Sequence, residues 1–177
     1  DLDRCDGPNQ IAQNVTAGEW VSRYAWPMDI DNTKMLIVWG SNPAVSVFMF
    51  FRQWLAAKRN NDGILVCIDP RRTKTAENAD IYIPIKVGTD GAMALAMINV
   101  IINEGLYDKD FVDHWTVGFD ELANHVQQYT PDWAARITEV PAEQIRKFAR
   151  LYATTKPAVF QHGIGTQVGR NGVQACR

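Results

Sequence analysis

Met35-Leu36-Ile37-Val38-Trp39-Gly40, followed by Ser41-Asn42-Pro43, is the stretch on which the fold turns. An unbroken apolar run closed by Gly and a polar turn reads as a strand buried on both faces. ILVCID at residues 64–69 repeats the pattern. IYIPI at 81–85 and AVFQ at 158–161 read as two further strands, with Pro84 placing the third at an edge or bulge. Between them the apolar period changes to that of a helix. Val47, Phe48, Phe51, Trp54 and Leu55 share one face of a helix ending at Lys58 and Arg59. Met93, Met97, Val100 and Ile101 do the same over 91–104, behind Gly88-Thr89-Asp90 as its cap. Shorter helices are expected over 108–115, 119–128 and 131–136, the last opened by Thr130-Pro131, and a longer one from Pro141 to about Thr154. Residues 1–33 form a polar lead-in with a helix somewhere in 9–25. Strands that are apolar throughout and alternate with helices predict an α/β fold, a three-layer, mostly parallel sheet of dinucleotide-binding-like type.

The 177 residues suit one domain, 1–177, with 46% hydrophobic and 21% charged residues. Lys+Arg number 18 and Asp+Glu 20, so a globally basic nucleic-acid binder is excluded. No apolar run is long enough for a membrane span. Cys5, Cys67 and Cys176 make neither a disulfide framework nor a paired metal motif. The chain opens at Asp1 and stops in a Gly-rich stretch, so both ends read as cut from something longer.

In parallel sheets ligands bind beyond the carboxyl ends of the strands. Three segments stand there. Trp39-Gly40-Ser41-Asn42-Pro43 offers a tight turn and polar side chains at a helix start, or is a plain turn. Asp69-Pro70-Arg71-Arg72-Thr73-Lys74 places an acid 29 residues after Gly40, where a ribose hydroxyl is often held, and then three cations suited to phosphate; the alternative is a solvated charged loop. In Gly88-Thr89-Asp90 the carboxylate is either a helix cap or an acceptor for two adjacent N–H donors, which guanine presents and adenine does not. Together they suggest a nucleotide with a pyrophosphate, without the phosphate loop of a GTPase or a nicotinamide fingerprint. His114 beside Asp110 reads as a surface ion pair, and His162 is either functional or structural. Trp54, Trp115 and Trp133 read as core or boundary aromatics, and Cys67 as an inert buried thiol. Cys5, beside Arg4 and a Gly7-Pro8 turn, is a free thiol or a soft-metal ligand.

WGSNP at 39–43, IDPRRT at 68–73 with AENAD behind it, and GTDGAMALAM at 88–97 lead into VIINEGLYDKDFV at 100–112. GFDEL at 118–122 and YTPDWAARITEVPAEQIRKFARLYA at 129–153 follow. In this order they resemble the dimethyl sulfoxide reductase family of molybdenum and tungsten enzymes, with a layout like the catalytic subunit of formate dehydrogenases. The resemblance implies a cofactor of two molybdopterin guanine dinucleotides holding one Mo or W, of which this domain binds one. Trp39, Gly40, Ser41, Asn42 and Pro43 would line the pyrophosphate and pterin. Asp69, Pro70 and Arg71 would hold the ribose or guanosine side, Gly88, Thr89 and Asp90 the guanine, and Gln167 would lie near the pterin. Cys5, 26 residues before Asp31, matches the family's metal ligand. Asp6 stands where formate dehydrogenases usually carry His, which leaves it as a candidate acid/base. An Fe–S cluster, a second pterin domain and a C-terminal barrel belong to the family outside these residues. The chain thus reads as a fragment of a catalytic subunit, inactive by itself. Its partners would be its own remaining domains, an Fe–S electron-transfer subunit and a small-molecule substrate, in the cytoplasm or periplasm of a bacterium or archaeon. The alternatives are a non-redox hydratase or hydroxyl transferase of the same family, and a non-catalytic nucleotide-binding module.

Overall fold

A computed structural model of the chain describes residues 7–18, 29–169 and 171–177. Cys5 and Asp6 lie outside them. The chain divides into two compact units. One comprises the residues through Gly91 together with those from Lys156 onward, and the other spans Ala92–Thr155.

The first unit is built on four parallel strands, β1 (Met35–Trp39), β2 (Ile64–Ile68), β3 (Ile81–Ile83) and β4 (Ala158–His162), in the order β3-β2-β1-β4. β1 is buried at every position, as a strand between two partners and two covered faces must be. Residues alternate between the faces. Leu36, Val38 and Leu65 pack on Phe51 and Trp54 of α3 (Phe48–Asn60), while Met35, Ile37, Val66 and Ile68 of the opposite face are equally buried. β3 ends before Pro84, which has no N–H to give a ladder, and lies at the sheet edge as the sequence predicts. Asp80 secures its entry. Asp80 Oδ2 accepts the buried Leu65 amide at 2.7 Å, and Lys58 Nζ donates to Oδ1 at 2.6 Å.

A helix expected somewhere in 9–25 stands at Gly7–Ala17, while the helices of four or five residues escape the periodicity argument. α1 (Gly7–Ala17), α2 (Pro43–Ser46), α4 (Lys74–Glu77) and α10 (Gly172–Cys176) complete this unit. Thr73 caps α4 by accepting the Ala76 amide at 3.3 Å, so the predicted run of cations is partly a helix start. α5 (Asp90–Asn103) begins at Asp90 itself rather than after it.

The strand order reverses direction at β1: β2 and β3 lie to one side and β4 to the other. The loops after β1 and β4 therefore meet at a topological switch point. They meet through backbone. Gly163 N donates to Trp39 O at 2.8 Å and Gly165 N to Gly40 O at 3.1 Å. A Cβ on Gly163 would stand 2.5 Å from Gly40 O, and one on Gly165 2.7 Å from the same atom.

In the second unit, α6 (Lys109–Trp115), α7 (Phe119–His125), α8 (Pro131–Thr138) and α9 (Ala142–Thr154) follow α5. α8 starts as predicted, with Thr130 Oγ1 accepting the Trp133 amide at 3.2 Å and Pro131 in the first turn. Ile145, Phe148 and Ala149 form the buried stripe of α9. The stretch 119–128 breaks into α7 and a 3-10 turn at Val126–Gln128, where Val126 O accepts from buried Asn99. Trp115 departs from its reading as a core or boundary aromatic: α6 buries none of its residues, and Trp115 is 76% exposed. His114 and Asp110 make the expected surface pair at 3.2 Å.

Two stability tests follow. Gly163→Ala, forcing a methyl against fixed backbone, is expected to cost about 3 kcal/mol. Gly88→Ala, strained only by its φ of +77° in open space, should cost about 1 kcal/mol. Urea unfolding checks the order, and a smaller loss for Gly163→Ala would contradict the interlock. Asp80→Ala should lose about 1–3 kcal/mol by stranding the Leu65 amide, whereas Asp80→Asn, which keeps an acceptor, should lose clearly less in the same assay.

Candidate functional site

The carboxyl ends of the strands gather four loops. Gly40, with φ +61°, turns the chain out of β1 and donates its amide to Ile68 O at 2.8 Å. That bond ties the first loop to the start of the second. Ser41 lies against Gly163, where an added Cβ would sit 2.6 Å from Ser41 Cβ. Asn42 does not cap α2 with its side chain. Its Oδ1 instead accepts the Thr75 hydroxyl at 2.8 Å, and Thr75 Oγ1 accepts the Ala44 amide at 3.1 Å. The predicted helix-start anion site is thus a four-residue turn opened by Pro43, pinned to α4 through a residue, Thr75, that the sequence reading did not single out. Only the fold could reveal it, because 33 residues separate the partners.

Asp69 is 8% exposed and folds back so that Oδ1 accepts the Arg71 amide at 2.8 Å. Pro70, Arg71, Arg72 and Lys74 are exposed around it. A buried carboxylate at the strand end thus carries a rim of exposed cations, a combination suited to a hydroxyl and a phosphate held side by side.

Trp39, last residue of β1, is 4% exposed. Its Nε1–H donates to Asp90 Oδ1 at 2.6 Å. Burial pushes the Asp90 carboxyl above its usual range, the indole bond pulls it back, and the charge of Asp69 raises it again. Asp90 is therefore more than a helix cap: its side chain spans to another strand end. Thr89 closes the preceding turn by donating to Lys86 O at 2.6 Å. Gly88 and the β4 loop approach closely, an added Cβ on Gly169 falling 3.8 Å from Gly88 Cα.

The β4 loop contributes Gln167, 5% exposed, whose Oε1 is buried with no hydrogen-bond partner among the described residues. Gln161 Oε1 is in the same condition. Neither the sequence pattern nor any motif pointed to Gln161, a polar residue that follows Ala158, Val159 and Phe160 in β4. Thr166 Oγ1 lies 3.4 Å from His162 Nδ1 and 3.9 Å from Cys176 Sγ. Cys67 is fully buried and its thiol is pushed up to about 12, chiefly by burial, in keeping with an inert role. Among the described residues no cluster of His, Cys, Asp and Glu could hold a metal ion, and no helix is long and apolar enough to cross a membrane.

The loops thus bring together Gly40, Ser41 and Asn42, Asp69 and Arg71, and Gly88, Thr89 and Asp90, with Gln167 beside them. Comparison with known proteins places the chain in a family. The family model for molybdopterin oxidoreductases matches residues 5–177. Acetylene hydratase of Syntrophotalea acetylenica is 51% identical over 113 residues, 64% of this chain and 16% of that protein. Formate dehydrogenase H of Escherichia coli (strain K12) is 44% identical over 149 residues, 84% of this chain and 21% of that protein. The solved structure of acetylene hydratase from Pelobacter acetylenicus superposes with a TM-score of 0.86 at 38% identity, covering 99% of this chain and 23% of that one. The chain spans about a fifth of the length of these relatives. With the match running over nearly every residue, the chain belongs to the molybdopterin oxidoreductases, the dimethyl sulfoxide reductase family that its motifs resemble.

Proposed function

We propose that this chain is the part of a molybdenum or tungsten enzyme that holds one molybdopterin guanine dinucleotide, and that Cys5 supplies the protein ligand to the metal. The observation that carries the reading is Asp90. A carboxylate anchored through one oxygen at a strand end keeps lone pairs on both oxygens, the acceptor pattern that the ring N–H and exocyclic amine of guanine require. Three further features fit the rest of the group. Gln167 Oε1 is a buried acceptor without a donor among the described residues, which the N–H-rich pterin would satisfy. The glycines at the switch point let the β4 loop, which carries Gln167, close on the loop after β1. Asp69 with Arg71 and Arg72 offers a hydroxyl acceptor beside phosphate donors.

In this reading Trp39 to Pro43 border the pyrophosphate and pterin, Asp69, Pro70 and Arg71 the ribose, and Gly88, Thr89 and Asp90 the base. The bound group supplies a metal centre whose oxidation state or Lewis acidity does the chemistry. Cys5 and Asp6 rest on sequence alone; Asp6 is a carboxylate next to the ligand position, suited to moving a proton. The whole subunit, with its second pterin domain and an Fe–S partner, would be the active unit, and these residues by themselves inactive. Redox turnover is the primary reading. Hydration is the second, favoured by the 51% identity to a protein named acetylene hydratase.

The test is chemical analysis of the intact enzyme purified from its source. Mild hydrolysis is expected to release guanosine monophosphate and a pterin, with Mo or W in the same sample, and Asp90→Ala is expected to lower all three together. Pterin and metal accompanied by a different nucleotide would overturn the guanine assignment. Reduction of a redox dye on turnover would support the primary reading, and turnover without dye reduction the second.

A further inference from the structure

We propose that Trp39 is the positioning residue for base recognition: its buried indole N–H holds Asp90 by one oxygen and so presents the carboxylate to the paired N–H donors of a guanine. The inference rests on the guanine reading and goes beyond it by assigning to Trp39 a role other than lining the pyrophosphate.

The geometry carries it. Trp39 ends β1, one of the two interior strands, and its ring lies against Phe160 of β4 with centroids 5.7 Å apart. The donor is thus held by two adjacent strands of the sheet. Asp90 lies 51 residues away at the first turn of α5, and its hydrogen bond to the indole is short, 2.6 Å. An indole N–H donates and cannot accept. It therefore favours a carboxylate oxygen as acceptor, the ionised form that two guanine donors need. The same bond restricts the Asp90 rotamer, so that less freedom is lost when a base docks.

The surroundings oppose that ionised form. Burial raises the Asp90 carboxyl, the Asp69 charge raises it further, and the titratable Cys176 thiol also lies within its field. None of these is a cation. The indole bond is the largest favourable influence on the carboxylate, with the backbone at the helix start second. Removing it should move Asp90 toward protonation at higher pH. A neutral carboxyl has one oxygen turned donor and cannot accept both base protons.

The experiment titrates the full chain, prepared without cofactor, with guanosine, inosine and adenosine diphosphates between about pH 4 and pH 8. The unmodified chain is expected to prefer the guanosine compound, with inosine intermediate because it lacks the exocyclic amine, and to lose the preference as pH falls through the Asp90 titration. Trp39→Phe is expected to cut the guanosine-over-adenosine preference about tenfold and to shift its loss to higher pH. An unchanged preference and pH midpoint in Trp39→Phe would overturn the positioning role while leaving the guanine reading intact. No preference in the unmodified chain would overturn both. Should Trp39→Phe fail to fold, the indole N–H signals of the six tryptophans in 15N NMR decide the matter. One of them should follow the pH at which the preference is lost and stand still in Asp90→Asn. If none does, the proposal fails.

Discussion

The close backbone approach between Gly40 and the Gly163–Gly165 segment is the constraint on which the rest of the site depends. Parallel pairing puts Trp39 and His162 in register, so the two strands end side by side. Whatever follows them must diverge or interlock. Here it interlocks, because glycines leave room for carbonyl and amide to meet where a Cβ would stand 2.5 Å from Gly40 O. That contact closes the floor of the switch point. The loops after β2 and β3 are then attached to it, the first by the Gly40–Ile68 bond and the other by Trp39 and Asp90.

Charge is distributed over this floor in a consistent way. The carboxylates that point inward, Asp69 and Asp90, are held by a neutral backbone amide and a neutral indole, not by the nearby arginines. Arg71 and Arg72 remain exposed. A carboxylate tied to a cation has its acceptor capacity consumed. One tied to a single neutral donor keeps most of it, and cations left in solvent remain free for a phosphate. The arrangement is poor for stability, since burial raises the Asp90 carboxyl, and good for recognising a ligand that carries both N–H groups and phosphates.

Much of this was legible from the residues. Runs such as MLIVW and ILVCI, closed by turn residues, read as buried strands and are, and the helical stripe of Ile145, Phe148 and Ala149 appears where the period places it. The strand-end loops were legible as well, because parallel sheets put ligands there. What joins the loops was not. Trp39 and Asp90 are 51 residues apart, Asn42 and Thr75 33 apart, and no local pattern couples them. The short helices α2, α4 and α10 lack the two turns a period needs to show. Trp115 misled because hydrophobicity predicts burial only where another element lies against the helix face, and α6 buries none of its residues.

Hydrogen–deuterium exchange on the full chain, with and without guanosine diphosphate, tests most directly that the four loops act as one guanine-nucleotide site. The expected result is joint protection of amides in 40–43, 69–73, 88–90 and 163–169, weaker with adenosine diphosphate in the 88–90 segment above all. Protection confined to one loop, or lying elsewhere in the chain, or equal for the two nucleotides, would contradict it.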